Sequence, residues 1–225
     1  MKILFLGTGA ADWRGDAQKL PSRRRFSSAL VDGVLLIDPN PHVLPALEEY
    51  GIKASDIKYI LNTHRHSDHF CANTLNTLTA LGARFFDISA GENASFEKYS
   101  VTAFTANHST AKDAKHFIIS DGEKRLFYGL DGAWLLYDEV AAIKEKGVDL
   151  AVLDATVGEK EGDYRIFEHN DLSMIISMKK ALEDHVRHFC ISHMARTLHE
   201  SHEALKEKMS GYGIDVAHDG YKIEF

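Results

Sequence analysis

The run Ile57-Lys58-Tyr59-Ile60-Leu61, followed after Asn62-Thr63 by His64-Arg65-His66-Ser67-Asp68-His69, decides how this chain is read. The apolar run reads as a buried strand, and the polar segment as a loop at its end. His-x-His-x-Asp-His packs four metal-ligating side chains into six residues. So short a stretch cannot close all four around one ion, so further ligands must come from elsewhere. Imidazoles and carboxylates suit zinc, iron or manganese, and an ion held with an open coordination position is catalytic rather than structural. The bland alternative, a polar loop that happens to be rich in histidine, is disfavoured by the spacing.

Composition sets the frame around this motif. The chain has 225 residues, which is enough for a substantial core, and residues 1–225 are read as one domain. Hydrophobic residues make up 44% and charged residues 26%, as in a soluble globular protein. A formal charge of −7 argues against broad adhesion to nucleic acid or anionic membrane. Arg23-Arg24-Arg25 is a local exception that reads either as a solvated loop or as a phosphate contact. Cys71 and Cys190 are far apart and suggest neither a disulfide framework nor a thiolate metal site. The apolar run after Met1 is too short for a signal peptide, and no apolar stretch of about 18 residues occurs. A cytoplasmic protein is expected.

Strand signals dominate the first half. Ile3–Leu6 reads as a buried strand stopped at Gly7-Thr8-Gly9, a tight turn rather than a phosphate cradle because no helix-opening glycine pattern follows. Ser28–Val31 and Val34–Asp38 flank Asp32-Gly33, a two-residue hairpin signal. Further strands are expected over Arg84–Asp87, Val101–Ala106, His116–Ser120, Arg125–Tyr128, Leu150–Asp154 and Phe189–Ser192. Asp121-Gly122-Glu123-Lys124 marks a second hairpin, and Asp219-Gly220 a last one between Val216–Ala217 and Lys222–Glu224. Helices are predicted over Val43–Tyr50, Cys71–Leu81, Tyr137–Lys146, Leu172–Asp184 and His199–Ser210. Hairpins first and strand–helix alternation later suit two packed sheets covered by helices.

The missing ligands should lie where strands end. His108 follows Val101–Ala106, Asp131 follows Arg125–Tyr128, Asp154 ends Leu150–Leu153, and His193 ends Phe189–Ser192. One histidine after a strand is more often structural. Four strands that each deliver a ligand type at the same end reverse that reading.

With these residues in place, the chain resembles the metallo-β-lactamase superfamily. The resemblance rests on Leu6-Gly7-Thr8-Gly9, Leu36-Ile37-Asp38-Pro39, the His64–His69 motif, His108, Asp131, His193 and Ala217-His218-Asp219-Gly220. It implies an α+β fold, the four-layer αββα sandwich, with a two-metal site at one edge of the paired sheets. Within the superfamily the chain looks most like the phosphodiesterase branch, that of ribonuclease Z and the cyclic-phosphate phosphodiesterase of carbon–phosphorus lyase pathways. There an acidic-Ala-Thr strand end and a His-containing loop precede the last metal His, as in Asp154-Ala155-Thr156, Glu168-His169-Asn170-Asp171 and His193.

Carried over by position, the resemblance implies that His64, His66 and His108 hold one divalent ion. Asp68, His69 and His193 hold the other, and Asp131 bridges both. Asp68 is also counted with the catalytic groups. His169 becomes the proton donor to the leaving oxygen, oriented by Asp154, and zinc, manganese or iron serve as the metals. The implied reaction is hydrolysis of a small or cyclic phosphate ester by a hydroxide shared between two cations. The alternatives are a lactone, thioester or β-lactam hydrolase on the same site, or a transfer-RNA-processing endonuclease. No long Gly/Pro-rich arm of the ribonuclease Z kind and no cysteine-rich zinc site are visible, and Asn40 stands where the family commonly has Gly. Homodimers are common among such relatives. Of the other histidines, His42 is within reach of the site and unassigned, His199 and His202 share a helix face, and His116, His185, His188 and His218 read as structural or surface residues. Asp12, after the glycine turn, approaches the substrate pocket.

Overall fold

In the computed structural model of residues 1–225, the first strand, β1 (Lys2–Gly7), buries Ile3 and Phe5 on one face and Leu4 and Leu6 on the other. A strand apolar on both faces has to lie inside a stack of layers. Ile3 and Phe5 join Val101, Phe117, Ile119, Tyr128 and Val152 in a core between two sheets. Leu4 and Leu6 instead pack with Val43, Ala46, Leu47 and Leu78 of α1 (Val43–Glu49) and α2 (Ala72–Ala80).

The first sheet contains β1, β2 (Ser28–Val31), β3 (Leu35–Ile37), β4 (Tyr59–Leu61), β5 (Arg84–Phe85) and β13 (Lys222–Glu224), in the order β13-β1-β2-β3-β4-β5. The second contains β6 (Asn93–Phe96), β7 (Tyr99–Thr105), β8 (Lys115–Ser120), β9 (Arg125–Gly129), β10 (Val148–Asp154), β11 (Val186–Ser192) and β12 (Ile214–Val216), in the order β12-β11-β10-β9-β8-β7-β6. Its outer face packs against Ile143 of α3 (Tyr137–Lys146), Ile175 and Met178 of α4 (Leu172–Leu182), and Leu205 and Met209 of α5 (His202–Ser210). Helices, sheet, sheet, helices: the architecture is the expected αββα sandwich. No helix is long and apolar enough to cross a membrane.

The hairpin at Asp32-Gly33 forms, with Ala29 opposite Ile37 and both turn residues at positive φ, 49° and 74°. In the second sheet β9, β10, β11 and β12 run parallel, as do β3, β4 and β5 in the first. Parallel strands bring their carboxyl ends to one edge, where open α/β sheets place their ligands.

Two expectations need correction, and one strand was not expected. The last hairpin does not exist: β12 pairs in parallel with β11, whereas β13 pairs antiparallel with β1 in the other sheet. Residues 217–221 therefore cross between sheets, with the Asp219 carboxylate held by Thr8 Oγ1 at 2.8 Å and the Arg25 amide at 2.7 Å. The last helix starts at His202, not His199, because Ser201 accepts the Ala204 amide and caps it. His199 thus lies outside the helix, bonded through Nε2 to the Ala155 carbonyl at 2.6 Å. The short edge strand β6 was not foreseen, since of Asn93-Ala94-Ser95-Phe96 only Phe96 is buried. Gly7 and Gly9 act by close approach: a Cβ on Gly7 would meet the Phe26 carbonyl oxygen at 2.0 Å, and one on Gly9 the Trp13 ring at 2.5 Å.

Phe117 is fully buried between the sheets. Phe117→Ala is expected to cost ~3–5 kcal/mol through lost burial and the cavity left behind. Chemical denaturation of the variant beside the parent measures it.

Candidate metal centre

Three strand ends carry a left-handed residue whose side chain enters the same cluster. Asp38 follows β3 at φ 63°, Asp131 follows β9 at φ 58°, and His193 follows β11 at φ 63°. Asp and His tolerate this conformation better than most residues, though not freely. Three such residues at one edge mark a place where the fold holds strain for the sake of side-chain direction.

The cluster gathers all seven residues expected as metal ligands. One donor atom from each of His64, His66, His108 and Asp131 lies within 4.8 Å of the others, and Asp68, His69, Asp131 and His193 form a second such group. Asp131 belongs to both, with Oδ2 3.1 Å from His64 Nε2 and 3.1 Å from His69 Nε2, and Oδ1 2.9 Å from His193 Nδ1. Asp68 Oδ2 stands 3.6 Å from His193 Nε2. A third group, Asp131, Asp154, His169 and His193, adjoins them. Apart from half-buried His66 and His169, these residues are buried.

The donor set fits divalent cations. His69 Nε2 and His193 Nε2 approach to 3.1 Å, and His66 Nδ1 and His108 Nε2 to 3.2 Å. Despite their own short contacts, buried His64 Nε2 and Asp131 Oδ1 make no well-aligned hydrogen bond. Converging imidazole nitrogens around a carboxylate, with polar atoms left unsatisfied, are what a closed protein network avoids and a metal requires.

Electrostatics agree with the crowding. Burial, reinforced by His69, pushes the His64 imidazole down to about 4. Burial acts to raise the Asp131 carboxyl, but His193 and His69 outweigh it and hold Asp131 well below the usual carboxylate range. Against the same burial, His69 holds Asp68 low, and His169 does so for Asp154.

A second set of residues aims the first. Asp38 Oδ2 accepts from His69 Nδ1 at 2.8 Å, which leaves Nε2 facing the cluster. The other Asp38 oxygen accepts the Thr63 amide at 2.7 Å and the Asn62 side chain at 3.0 Å. His108 Nδ1 lies 3.3 Å from the Glu168 carbonyl, and the Glu168 carboxylate accepts from Ser109 and Thr110 hydroxyls. Thr156 Oγ1 lies 2.8 Å from His193 Nδ1 and donates to Asp154 at 3.2 Å. Sequence reasoning assigned no role to Asp38, Thr63, Thr156 or Glu168. Asp38 had the available signal, a carboxylate immediately after a buried strand. Asp38→Asn keeps the left-handed backbone and is expected to weaken metal affinity by ~10–100-fold, as loss of such partners does; titration with a competing chelator reads it.

Asp154 and His169 also meet, with His169 Nδ1 2.9 Å from Asp154 Oδ2 and 3.8 Å from Asp131 Oδ1. Asp154 is fully buried, and its other oxygen accepts the Thr156 and Asn170 amides at 2.9 and 3.2 Å. Above the cluster opens a cavity of about 510 Å³, also lined by Asp12, Arg14, Thr110, Arg165 and Glu168. Asp12 thus borders the cavity, with its carboxylate accepting the Arg196 amide at 2.8 Å. His42 does not reach it; its ring stacks on Phe26 at 4.3 Å. Arg25 is buried in ion pairs with Glu49 and Asp219, and buried His116 pairs with Glu139. Asn40 donates to the Phe26 and Ser27 carbonyls at 3.1 and 2.9 Å, and so bridges the loop that a glycine would leave open.

Residues 27–75 match the family model described as the metallo-beta-lactamase superfamily. No curated protein matches the sequence. The metallo-beta-lactamase fold protein YhfI from Bacillus subtilis superposes with a TM-score of 0.76 at 12% identity, covering 100% of this chain and 99% of its own. Zn(2+)-bound PqqB from Methylobacterium extorquens gives 0.75 at 18% identity, with 100% of both chains covered. Human tRNase Z, short form, gives 0.73 at 18% identity, covering 100% of this chain and 99% of that one. Likeness over the full length at such identities is a likeness of fold. The two helix-covered sheets and the matched segment, which runs through the His64–His69 loop, make this chain a protein of the metallo-β-lactamase fold.

Proposed function

We propose that the chain is a dinuclear metal-dependent hydrolase acting as a phosphodiesterase on a small or cyclic phosphate ester. The observation that carries the choice of phosphoryl chemistry is the Asp154–His169 pair, 2.9 Å apart, with His169 on the wall of the cavity over the metal-binding groups and Asp154 buried behind it. Expelling an alkoxide from phosphorus is slow unless the leaving oxygen is protonated, and a positioned imidazole supplies ~10²–10⁴ in rate.

His64, His66, His108 and Asp131 would hold one cation, and Asp68, His69, His193 and Asp131 the other. Zinc, manganese and iron all suit these donors. A bound pair of divalent ions supplies Lewis acidity and makes water nucleophilic near neutral pH. The chain's own residues do the rest. Asp38 fixes the His69 tautomer, and the Glu168 carbonyl that of His108. Asp154 accepts from His169 Nδ1 and turns Nε2 toward the cavity, where it holds the proton for the leaving oxygen. Arg14, which forms no ion pair, adds positive charge to the cavity wall and favours an anionic substrate, whereas Arg165 is taken up by Asp163 at 2.6 Å. The net charge of −7 opposes a long polyanion, so the small ester is preferred to transfer RNA.

A panel of bis(p-nitrophenyl) phosphate, a cyclic phosphodiester, a lactone and nitrocefin, run on the metal-analysed protein, tests this reading. Metal-dependent turnover of the phosphodiesters is expected. Turnover of the lactone or nitrocefin alone would replace it with the carbonyl reading, and labelled transfer RNA cleaved at physiological salt with the endonuclease reading.

A further inference from the structure

A second cavity, also about 510 Å³, lies beside the metal centre and shares only Ala195 with its wall. Arg24 borders it and is unlike its neighbour. Arg25 is ion-paired to both Glu49 and Asp219, whereas the half-buried Arg24 guanidinium forms no ion pair. Nη1 of Arg24 donates to Thr8 Oγ1 at 2.6 Å and to the Ala217 carbonyl at 3.0 Å. Nη2 donates to His202 Nδ1 at 3.1 Å, which fixes His202 as the neutral tautomer with its proton on Nε2. Nε–H and one Nη2–H remain without a partner. The carboxylates of Asp219 and Glu203 favour the Arg24 charge from a distance, but burial outweighs them, and no carboxylate comes within ion-pair reach of the guanidinium. A half-buried, unpaired guanidinium is costly unless a counter-charge reaches it.

We propose that this cavity is an anion site, distinct from the metal centre, that takes a phosphate group, either free or as the monoester end of a small metabolite. A guanidinium with two unused N–H donors matches the oxygens of a phosphate. Arg196 borders the same cavity, as does Arg23, itself ion-paired with Glu49 at 3.7 Å, and the cap of α5, Ser201, opens onto it with the positive end of the helix dipole behind. Two hydrogen bonds join the wall of this cavity to the backbone beside the metal centre. Trp13, in the cavity wall, donates from Nε1 to the Met194 carbonyl at 2.9 Å, next to His193, and His199 bonds the Ala155 carbonyl next to Asp154.

Calorimetric titration of inorganic phosphate into the full-length, metal-loaded protein tests this without reference to the reaction catalysed. Besides any phosphate bound at the metal centre, which is expected to be lost in His66→Ala, one event is expected that persists in His66→Ala and weakens at least ~10-fold, about 1.4 kcal/mol, when Arg24→Gln is added. Since Arg24 also ties Thr8 to Ala217, a second variant guards against misfolding. Ser22→Glu, on the exposed rim, sets a negative charge at the cavity without touching that network and is expected to weaken the same event several-fold. No saturable event remaining in His66→Ala, or a remaining event unchanged by Arg24→Gln or by Ser22→Glu, would each overturn the proposal.

Discussion

Asp131→Asn is expected to abolish metal-dependent hydrolysis and to empty the centre of at least one cation, an effect larger than the ~10–100-fold typical of outer partners. Asp131 is the one residue common to both donor groups, and its oxygens lie 2.9–3.1 Å from His64, His69 and His193. Asparagine is the informative replacement. It accepts the left-handed backbone at φ 58°, nearly preserves volume and removes only the charge. An amide oxygen cannot offset two adjacent cations as a carboxylate does. Elemental analysis beside turnover of bis(p-nitrophenyl) phosphate reads both consequences. A variant with full metal content and full activity would remove Asp131 from the centre, and with it the dinuclear scheme.

His169→Ala is the second large effect, and of a different kind. Metal content is expected to stay unchanged, since His64, His66, His69, His108, His193, Asp68 and Asp131 complete the two donor groups without it. Turnover of a phosphodiester with an alkyl leaving group is expected to fall ~10²–10⁴-fold, the range for a lost general acid. Turnover of bis(p-nitrophenyl) phosphate, whose leaving phenolate needs no proton, is expected to fall far less. The ratio of the two separates proton donation from a merely structural role. Equal losses on both substrates would make His169 a positioning residue, and a loss of metal would make it a ligand.

The chain announces most of the fold because each layer writes its own period. Ile3 and Phe5 alternate with Leu4 and Leu6, and both sets are buried, one against the partner sheet and one against helices. Tyr137–Lys146 was legible to the residue, with Asp138 and Glu139 in its first turn, Lys144 and Lys146 in its last, and Gly147 after it. β6 was not, because an edge strand with one buried side chain carries no period to read. The false hairpin at Asp219-Gly220 has a similar cause. A local turn signal cannot say which of two sheets the next strand will enter.

From the sequence alone come the His64–His69 motif, the strand-end positions of His108, Asp131, Asp154 and His193, and the layered sandwich. These follow from local spacing and hydrophobic period, which act over a few residues. What only the tertiary structure decided is the convergence: Asp38 on His69 across 31 positions, His193 against His69 across 124, and an unpaired Arg24 opening a second cavity. Such contacts depend on parallel strand register and on left-handed turns after β3, β9 and β11. Neither is encoded in any short window, because both are fixed by how the whole chain closes around its core.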